Sequence, residues 1–308
     1  MIKQWIKKKI YKSPWFLRIL NDKSLFEYFQ SKGIHVHDNH FYNPVPDTST
    51  LDKNLFSDSK NLSALDLNEA EQISHFNYFS TFKPEYSKFS FEKTNVDYEY
   101  YWNNGGFMCM DAVALYGMIR HYKPKLMIEV GGGNSTKLSA TAINENENEG
   151  KSCDLICIEP FTNQILKNGF KGLKKVLETE VQKISISEFQ KLQAGDILFI
   201  DSSHVLKAGS DVEYYFDQVL PQLNAGVIIH FHDIFLPEEY PEEWIIKEHR
   251  FWNEQYILQS FLSFNNSFKI LFAGRYFQLM NEEKIKSALD FYPAAITKAG
   301  SFWIQKVK

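Results

Sequence analysis

Five short apolar runs recur along the middle of the chain, and each gives way to glycine, polar or charged residues. They are LMIEVGG (126–132), DLICIEP (154–160), VLETEVQ (176–182), DILFIDSS (196–203) and GVIIHFHD (226–233). Helical patterns lie between them, and the last two are preceded by the capping sequences Ser185-x-x-Glu188 and Ser210-x-x-Glu213. Continuously apolar strands that alternate with helices predict an α/β fold with a parallel sheet covered on both faces.

The sequence on either side completes this picture. FKILFAGRYF (268–277) and SFWIQKV (301–307) are two further strand-like runs that flank a helix, so seven strands are predicted. Residues 236–263 look like a helical insertion after the fifth strand. Residues 21–95 show little clean periodicity and are interpreted as a helical or irregular extension, which leaves 96–308 as the main domain.

The first twenty residues differ from the rest of the chain. Residues 1–20 carry five Lys and one Arg before the first acid, and their apolar residues fall on one helical face. A basic amphipathic helix is typical either of a solvated surface or of contact with an anionic membrane surface. We therefore predict a basic amphipathic segment at 1–20 and consider peripheral membrane contact.

Composition limits the functions and the cellular locations that we expect. The net charge of −4 gives no reason to expect nucleic-acid binding. The three cysteines have no CxxC spacing and read as free thiols in a reducing compartment, which predicts a cytoplasmic protein, with the inner face of the membrane as a second location. No stretch reaches the ~18 apolar residues of a membrane span.

The first strand ends in a glycine turn preceded by a carboxylate. Glu129 stands before the sequence Gly131-Gly132-Gly133-Asn134-Ser135, and Glu159 ends the second strand. Glycines let a backbone approach a ligand closely before a helix begins, and a carboxylate about thirty residues further on suits ribose hydroxyls. The pattern does not complete GxGxxG, because Thr136 stands at the last glycine position. A carboxylate at 129 suits a ligand with a cationic amino-acid end.

These motifs resemble class I S-adenosylmethionine-dependent methyltransferases. MIEVGGGNST, CIEP, GDILFIDSSHVLKAGSDV and GVIIHFHDIFLPEEYPEEW carry the resemblance, which is greatest to the bacterial branch found among sugar- and glycan-modifying genes. It extends over most of the chain from about residue 40. It implies a Rossmann-like fold whose mostly parallel seven-stranded sheet has an antiparallel last strand.

The resemblance also implies a set of cofactor-binding residues for S-adenosylmethionine. Glu129 and the glycines would hold the methionine end, Glu159 the ribose, and the segment at Gln182 the adenine. The cofactor-binding residues expected on this basis are Glu129, Gly131, Gly132, Gly133, Asn134, Ser135, Glu159, Gln182 and Asp201.

Polar residues at the ends of the fourth and fifth strands are the predicted catalytic groups. His204, His232 and Asp233 are the candidates for moving the acceptor's proton. Asp201, Asp233 and His232 are also candidate ligands of a divalent ion, Mg²⁺ or Mn²⁺; the alternative is a histidine base without a metal. Since side chains alternate along a strand, His230 and His232 are expected on one face and Asp233 on the other, which argues against all three binding one ion.

The predicted activity is methyl transfer to oxygen of a sugar, glycan or other small hydroxylated acceptor. Two alternatives remain: a nicotinamide-dependent oxidoreductase on a similar sheet, and a non-catalytic module that keeps the fold for binding. The sequence fixes neither the acceptor's identity nor the oligomeric state.

Overall fold

The sheet at the centre of the chain confirms the predicted fold class. The computed structural model describes residues 13–290 and 297–308. Seven strands lie in the order β3-β2-β1-β4-β5-β7-β6. The strands β1 to β5 pair in parallel, and β7 pairs antiparallel with both β5 and β6. Their bounds are β1 Leu126–Val130, β2 Asp154–Ile158, β3 Leu173–Leu177, β4 Ile197–Ile200, β5 Ile228–Phe231, β6 Phe268–Ala273 and β7 Phe302–Lys306.

Helices precede the sheet, connect its strands and cover both of its faces. In chain order they are α1 Pro14–Leu20, α2 Phe26–Ser31, α3 Glu69–Thr81, α4 Lys83–Tyr86, α5 Cys109–Tyr122, α6 Asn134–Asn148, α7 Gln164–Asn168, α8 Ile186–Phe189, α9 Asp211–Tyr214, α10 Leu220–Gln222, α11 Glu242–Ile246, α12 Glu254–Leu262, α13 Gly274–Met280 and α14 Glu282–Ala288. A π-helical turn at Tyr215–Val219 joins α9 to α10. Short 3₁₀ helices lie at Lys23–Leu25, Lys53–Phe56 and Val181–Lys183.

Two elements differ from their predicted positions. The third strand is Leu173–Leu177 and not 176–182. It is an edge strand with two solvent-exposed lysines, so it lacks the apolar run that identified the other strands. The insertion predicted as helical over 236–263 is helical only in α11 and α12; Pro241 lies directly before α11, and residues 247–253 separate the two helices.

The helix α3, from the predicted extension, packs into the same core as the sheet. Its Phe79 is fully buried, and a Cβ atom added to Gly117 of α5 would lie 2.2 Å from the Phe79 ring. Glycine at 117 thus permits the close packing of α3 on α5. The proposed division into 1–20, 21–95 and 96–308 stays a prediction, and residues 1–12 of the basic segment lie outside the described residues.

The order of the strands brings β1, β4 and β5 side by side at the centre of the sheet. Their carboxyl ends therefore meet at one edge, where ligands bind in open α/β sheets. Within residues 13–290 and 297–308, no helix is long and apolar enough to cross a membrane.

Candidate active site

Glu129, near the end of β1, is a fully buried carboxyl group. Its Oε1 accepts hydrogen bonds from Ser135 Oγ (2.6 Å) and Thr136 Oγ1 (2.9 Å), both in the first turn of α6. Its Oε2 has no hydrogen-bond partner among the described residues. Burial raises the pKa of Glu129 to about 8, although the two hydroxyl donors act to lower it. A buried polar atom without a partner is costly, which fits a site that a cationic ligand group completes.

The glycine turn after β1 has both a position where only glycine fits and a position with free space. Gly131 has a φ of +87°, and a Cβ atom there would lie 1.7 Å from the backbone oxygen of Asp201. Next to it, a Cβ atom on Gly132 would approach Cys157 Sγ to 2.6 Å. A Cβ atom on Gly133 would meet nothing within 4 Å. The turn thus brings the ends of β1 and β4 together while leaving open space beside the start of α6, which fits the predicted cofactor cradle.

Two of the other predicted cofactor residues, Glu159 and Asn134, lie at this turn. Glu159 accepts hydrogen bonds from the backbone N–H groups of Gly132 (3.1 Å) and Phe161 (2.7 Å), so its carboxylate is oriented by the backbone. Asn134 donates to Asn104 Oδ1 (3.1 Å), which joins the turn to the loop that precedes α5. Gln182 lies apart, in the 3₁₀ helix after β3, and donates to the Gly209 carbonyl at 3.4 Å.

The predicted catalytic residues converge at the ends of β4 and β5. His204 Nε2 lies 3.4 Å from Asp201 Oδ1 and 3.6 Å from Asp233 Oδ2. His232 Nδ1 lies 3.6 Å from Asp201 Oδ1 and 3.6 Å from Asp233 Oδ1. Each of the two carboxylates is therefore close to both imidazoles. Asp201, His204 and Asp233 offer ligand atoms within 4.8 Å of one another, a spacing that could hold a metal ion.

The expectation that His232 and Asp233 take opposite faces is wrong. The strand β5 ends at Phe231, and Asp233 has a φ of +55°, so the alternation of a strand no longer applies. His204 also has a positive φ, +59°. Left-handed backbone costs about 1–3 kcal/mol for such residues and clusters at functional sites. Both strained residues turn their side chains into the same cluster.

Charges in the cluster stabilise one another. Burial by itself lowers the pKa of His204, but hydrogen bonds to Asp201 and Glu254 raise it to about 10. Burial likewise opposes the charge of His232, yet Asp201 and Asp233 hold its pKa well above 6.5. Burial opposes ionisation of Asp201, and the two histidines nevertheless lower its pKa to about 2. The cluster thus pairs protonated His204 and His232 with ionised Asp201.

Two acidic residues of this cluster were not predicted as site residues. Glu254, at the start of α12, is fully buried and accepts a hydrogen bond from His204 Nδ1 at 2.8 Å. Asp111, in the first turn of α5, lies 3.6 Å from His232 Nε2 and accepts from the backbone N–H groups of Gly300 and Ser301. Neither residue follows an apolar strand, so a search for polar residues at strand ends could not identify them.

His230 is a core residue rather than a member of the cluster. It is fully buried, stacks on Phe199 with ring centres 4.0 Å apart, and shares a hydrogen bond with Ser301 Oγ at 3.1 Å. Burial and the neighbouring His232 hold its pKa well below 6.5. It is therefore neutral.

A pocket of about 250 Å³ opens beside the cluster. Its polar wall includes Asp111, His232 and Asp233, and the insertion contributes apolar wall residues such as Trp244. His232 Nε2 is buried and has no hydrogen-bond partner among the described residues. The pocket thus combines an apolar wall with a few polar groups, the usual composition of a small-molecule site.

The central part of the chain is similar to a known family of proteins. Residues 128–234, about a third of the chain, match a family model described as a methyltransferase domain. A protein of Archaeoglobus fulgidus, described as uncharacterized, is 29% identical over 162 residues, which cover 50% of this chain and 72% of that protein.

Solved methyltransferases resemble the chain only distantly. The plantazolicin methyltransferase BamL, solved with a triazolic desmethylPZN analogue and SAH, is 14% identical with a TM-score of 0.42, covering 79% of this chain and 100% of BamL. The apo structure of CmcI-N160 is 12% identical with a TM-score of 0.36, covering 65% of this chain and 71% of CmcI. At these values the likeness carries no information on substrate. The family match, in contrast, spans β1 to the tip of β5 and describes this part of the chain as a methyltransferase domain, in agreement with the predicted enzyme class.

Proposed function

We propose that this methyltransferase transfers the methyl group to a hydroxyl oxygen of a small acceptor, with a sugar or glycan-related acceptor as the favoured class. The observation that carries the proposal is the cluster of Asp201, His204, His232 and Asp233 beside a small pocket. Hydroxyl groups need a proton acceptor or a metal ion to become nucleophilic. This cluster offers carboxylates that could accept a proton and side chains that could bind a metal ion. The resemblance of the strand motifs supports the sugar-related class.

The cofactor would lie across the ends of β1 and β2. The unpaired Oε2 of Glu129 suits the amino group of S-adenosylmethionine, and the open space at Gly133 suits its amino-acid end. Glu159 is oriented by two backbone N–H groups and keeps oxygen lone pairs for ribose hydroxyls. We retain Gln182 as the residue beside the adenine because the resemblance implies it.

The pocket beside Asp233 is the proposed acceptor site. Its volume of about 250 Å³ supports an acceptor of monosaccharide size or the terminal unit of a larger one. Trp244 in its wall offers an aromatic face of the kind that packs against sugar rings. Asp111 and His232 would accept or donate hydrogen bonds to the acceptor's hydroxyl groups and orient one of them.

A divalent ion is the second part of the proposal. Asp201, His204 and Asp233 would be its ligands in place of the predicted set with His232, because their ligand atoms lie within 4.8 Å of one another. When bound, the ion would lower the pKa of an acceptor hydroxyl group. A nitrogen ligand favours Mn²⁺ over Mg²⁺. Binding requires His204 Nε2 to lose its proton, so the ion and the proton compete for this nitrogen.

Calorimetry and a methyl-transfer assay test the proposal. We expect S-adenosylhomocysteine to bind and NADH not to bind; the reverse would support the oxidoreductase alternative and overturn the proposal. Transfer of labelled methyl groups to a panel of hydroxylated sugars should be lost in Asp233→Ala with cofactor binding retained. Unchanged turnover in EDTA, with no gain on adding Mn²⁺, would remove the metal. Full biological function in Asp233→Ala would favour a non-catalytic module.

We also propose that residues 1–20 contact an anionic membrane surface from the cytoplasmic side. The basic sequence supports this, and in the described part of the segment Trp15 and Leu17 are exposed by 69% and 48%. Sedimentation with anionic vesicles should pellet the full chain but not a chain lacking 1–20, and neutral vesicles should pellet neither. Equal pelleting of both forms by anionic vesicles would contradict the proposal.

A further inference from the structure

The loop that carries His204 is held by the insertion in addition to its own hydrogen bonds. The backbone oxygen of His204 accepts from the N–H groups of Asn253 (3.1 Å) and Glu254 (3.2 Å). The Asn253 side chain accepts from Leu206 N (2.5 Å) and donates to Leu206 O (3.3 Å). The start of α12 therefore fixes the backbone on which His204 is presented.

The side chain of Glu254 fixes the ring of His204 in turn. Glu254 is fully buried, its Oε2 accepts from Nδ1 at 2.8 Å, and its Oε1 has no hydrogen-bond partner among the described residues. Burying a carboxylate costs several kcal/mol unless a partner compensates it. The His204 ring is that partner. Because Nδ1 is engaged on this side, Nε2 is turned toward Asp201 and Asp233.

Trp252 holds the face of the same ring. The Trp252 and His204 ring centres lie 4.3 Å apart, and Trp252 packs edge-on against Trp244 at 5.1 Å. Trp244 also lines the proposed acceptor pocket. The insertion thus forms a wall of the acceptor pocket and, through the adjoining residues, determines the orientation of His204.

We propose that Glu254 is a positioning residue for the methyl-transfer reaction. It orients His204 so that Nε2 faces Asp201 and Asp233, where it binds the divalent ion or transfers a proton. The proposal rests on the proposed function. A carboxylate behind a histidine is a recurrent way to fix the ring of a metal-binding or proton-transferring imidazole, and its removal costs about 10–100-fold in metal affinity or activity. No contact with cofactor or acceptor is assigned to Glu254 itself.

The test uses Glu254→Leu, Glu254→Gln and a matched control, Glu239→Gln. Glu239 is also a buried glutamate of the insertion, but it contacts Lys60, Tyr240 and Tyr256 rather than His204. Leucine removes the hydrogen-bond acceptor, whereas glutamine keeps a carbonyl oxygen for the Nδ1 proton. Affinity for Mn²⁺, affinity for S-adenosylhomocysteine, kcat and KM are measured for each. The Nδ1 proton of His204 is followed by ¹⁵N-histidine NMR, with His204→Asn for assignment.

We expect Glu254→Leu to lose the hydrogen-bonded Nδ1 proton signal and to reduce Mn²⁺ affinity and kcat about 10–100-fold, with S-adenosylhomocysteine affinity unchanged. Glu254→Gln should keep the signal and recover part of both losses, and Glu239→Gln should leave all of them near wild type. Persistence of the signal in Glu254→Leu, or equal losses in Glu254→Leu and Glu239→Gln, would overturn the proposal. If the wild type binds neither S-adenosylhomocysteine nor Mn²⁺, the proposed function fails, and the NMR signal alone still decides whether Glu254 orients His204.

Discussion

The buried carboxyl group of Glu129 should make cofactor binding depend on pH. Desolvation raises its pKa to about 8 against the opposing effect of the Ser135 and Thr136 hydroxyl groups. In the free protein at neutral pH the group is therefore mainly the uncharged acid. A ligand ammonium group beside it favours the ionised form, so binding expels a proton.

The size of the effect follows from this pKa. If only the ionised carboxylate binds the ammonium group, the dissociation constant is multiplied by one plus the ratio of protonated to ionised Glu129. That factor is about 10 at pH 7 and about 100 at pH 6. We expect the dissociation constant of S-adenosylhomocysteine to fall about tenfold between pH 6 and pH 7, about fivefold between pH 7 and pH 8, and to level off above. Close to one proton should be released per ligand at pH 7.

Isothermal titration calorimetry in two buffers of different ionisation enthalpy measures both quantities. Glu129→Gln should bind more weakly and show no slope, because an amide does not titrate. Glu159→Gln is the matched control: it should weaken binding and keep the slope, since Glu129 is intact. A dissociation constant that is flat from pH 6 to pH 8 in the wild type, or an equal slope in Glu129→Gln, would refute the reasoning.

Two further predictions concern the same edge of the sheet. Gly131→Ala should lower both the melting temperature and the cofactor affinity, because its Cβ would overlap the Asp201 carbonyl. Gly133→Ala should fold normally and lose only cofactor affinity, because its Cβ meets open space. Equal melting temperatures for the two variants would contradict this prediction. The raised pKa of Glu129 favours folding fully below pH 4.5, and this contribution is lost as pH rises through about 8. Denaturant unfolding of the ligand-free protein should therefore show the stability of Glu129→Gln rising relative to wild type by several kcal/mol between pH 5 and pH 8, and a constant difference would argue against the buried acid.

The sheet was predictable from sequence because its central strands are apolar on both faces. Near-continuous apolar runs such as those at β1, β2, β4 and β5 are typical of parallel strands that helices cover on both faces. Each of these runs ends in polar residues, which marks the end of the strand. The edge strand β3 has no fully buried residue and two exposed lysines, so its position was misassigned. The bounds of the helices within the insertion were harder still to predict, since α11 and α12 have only 5 and 9 residues.

The candidate site was predictable only where it follows a strand. Asp201, His232 and Asp233 were found because they end apolar runs, and His204 because it lies three residues further on. The relation between His232 and Asp233 was misjudged, because alternation holds within a strand and fails where φ becomes positive. Glu254 lies fifty residues from His204, and nothing local in the sequence indicates that pairing.

Charge balance connects the metal and the proton at this site. Asp201, Asp233 and Glu254 surround His204, and three carboxylates at this depth require compensating positive charge. Protonated His204 and His232 supply it. A divalent ion at Asp201, His204 and Asp233 would bring two positive charges and displace one proton from His204 Nε2, a net gain of one positive charge. Both arrangements supply positive charge to these carboxylates, and the ion and the proton on His204 Nε2 should exclude each other.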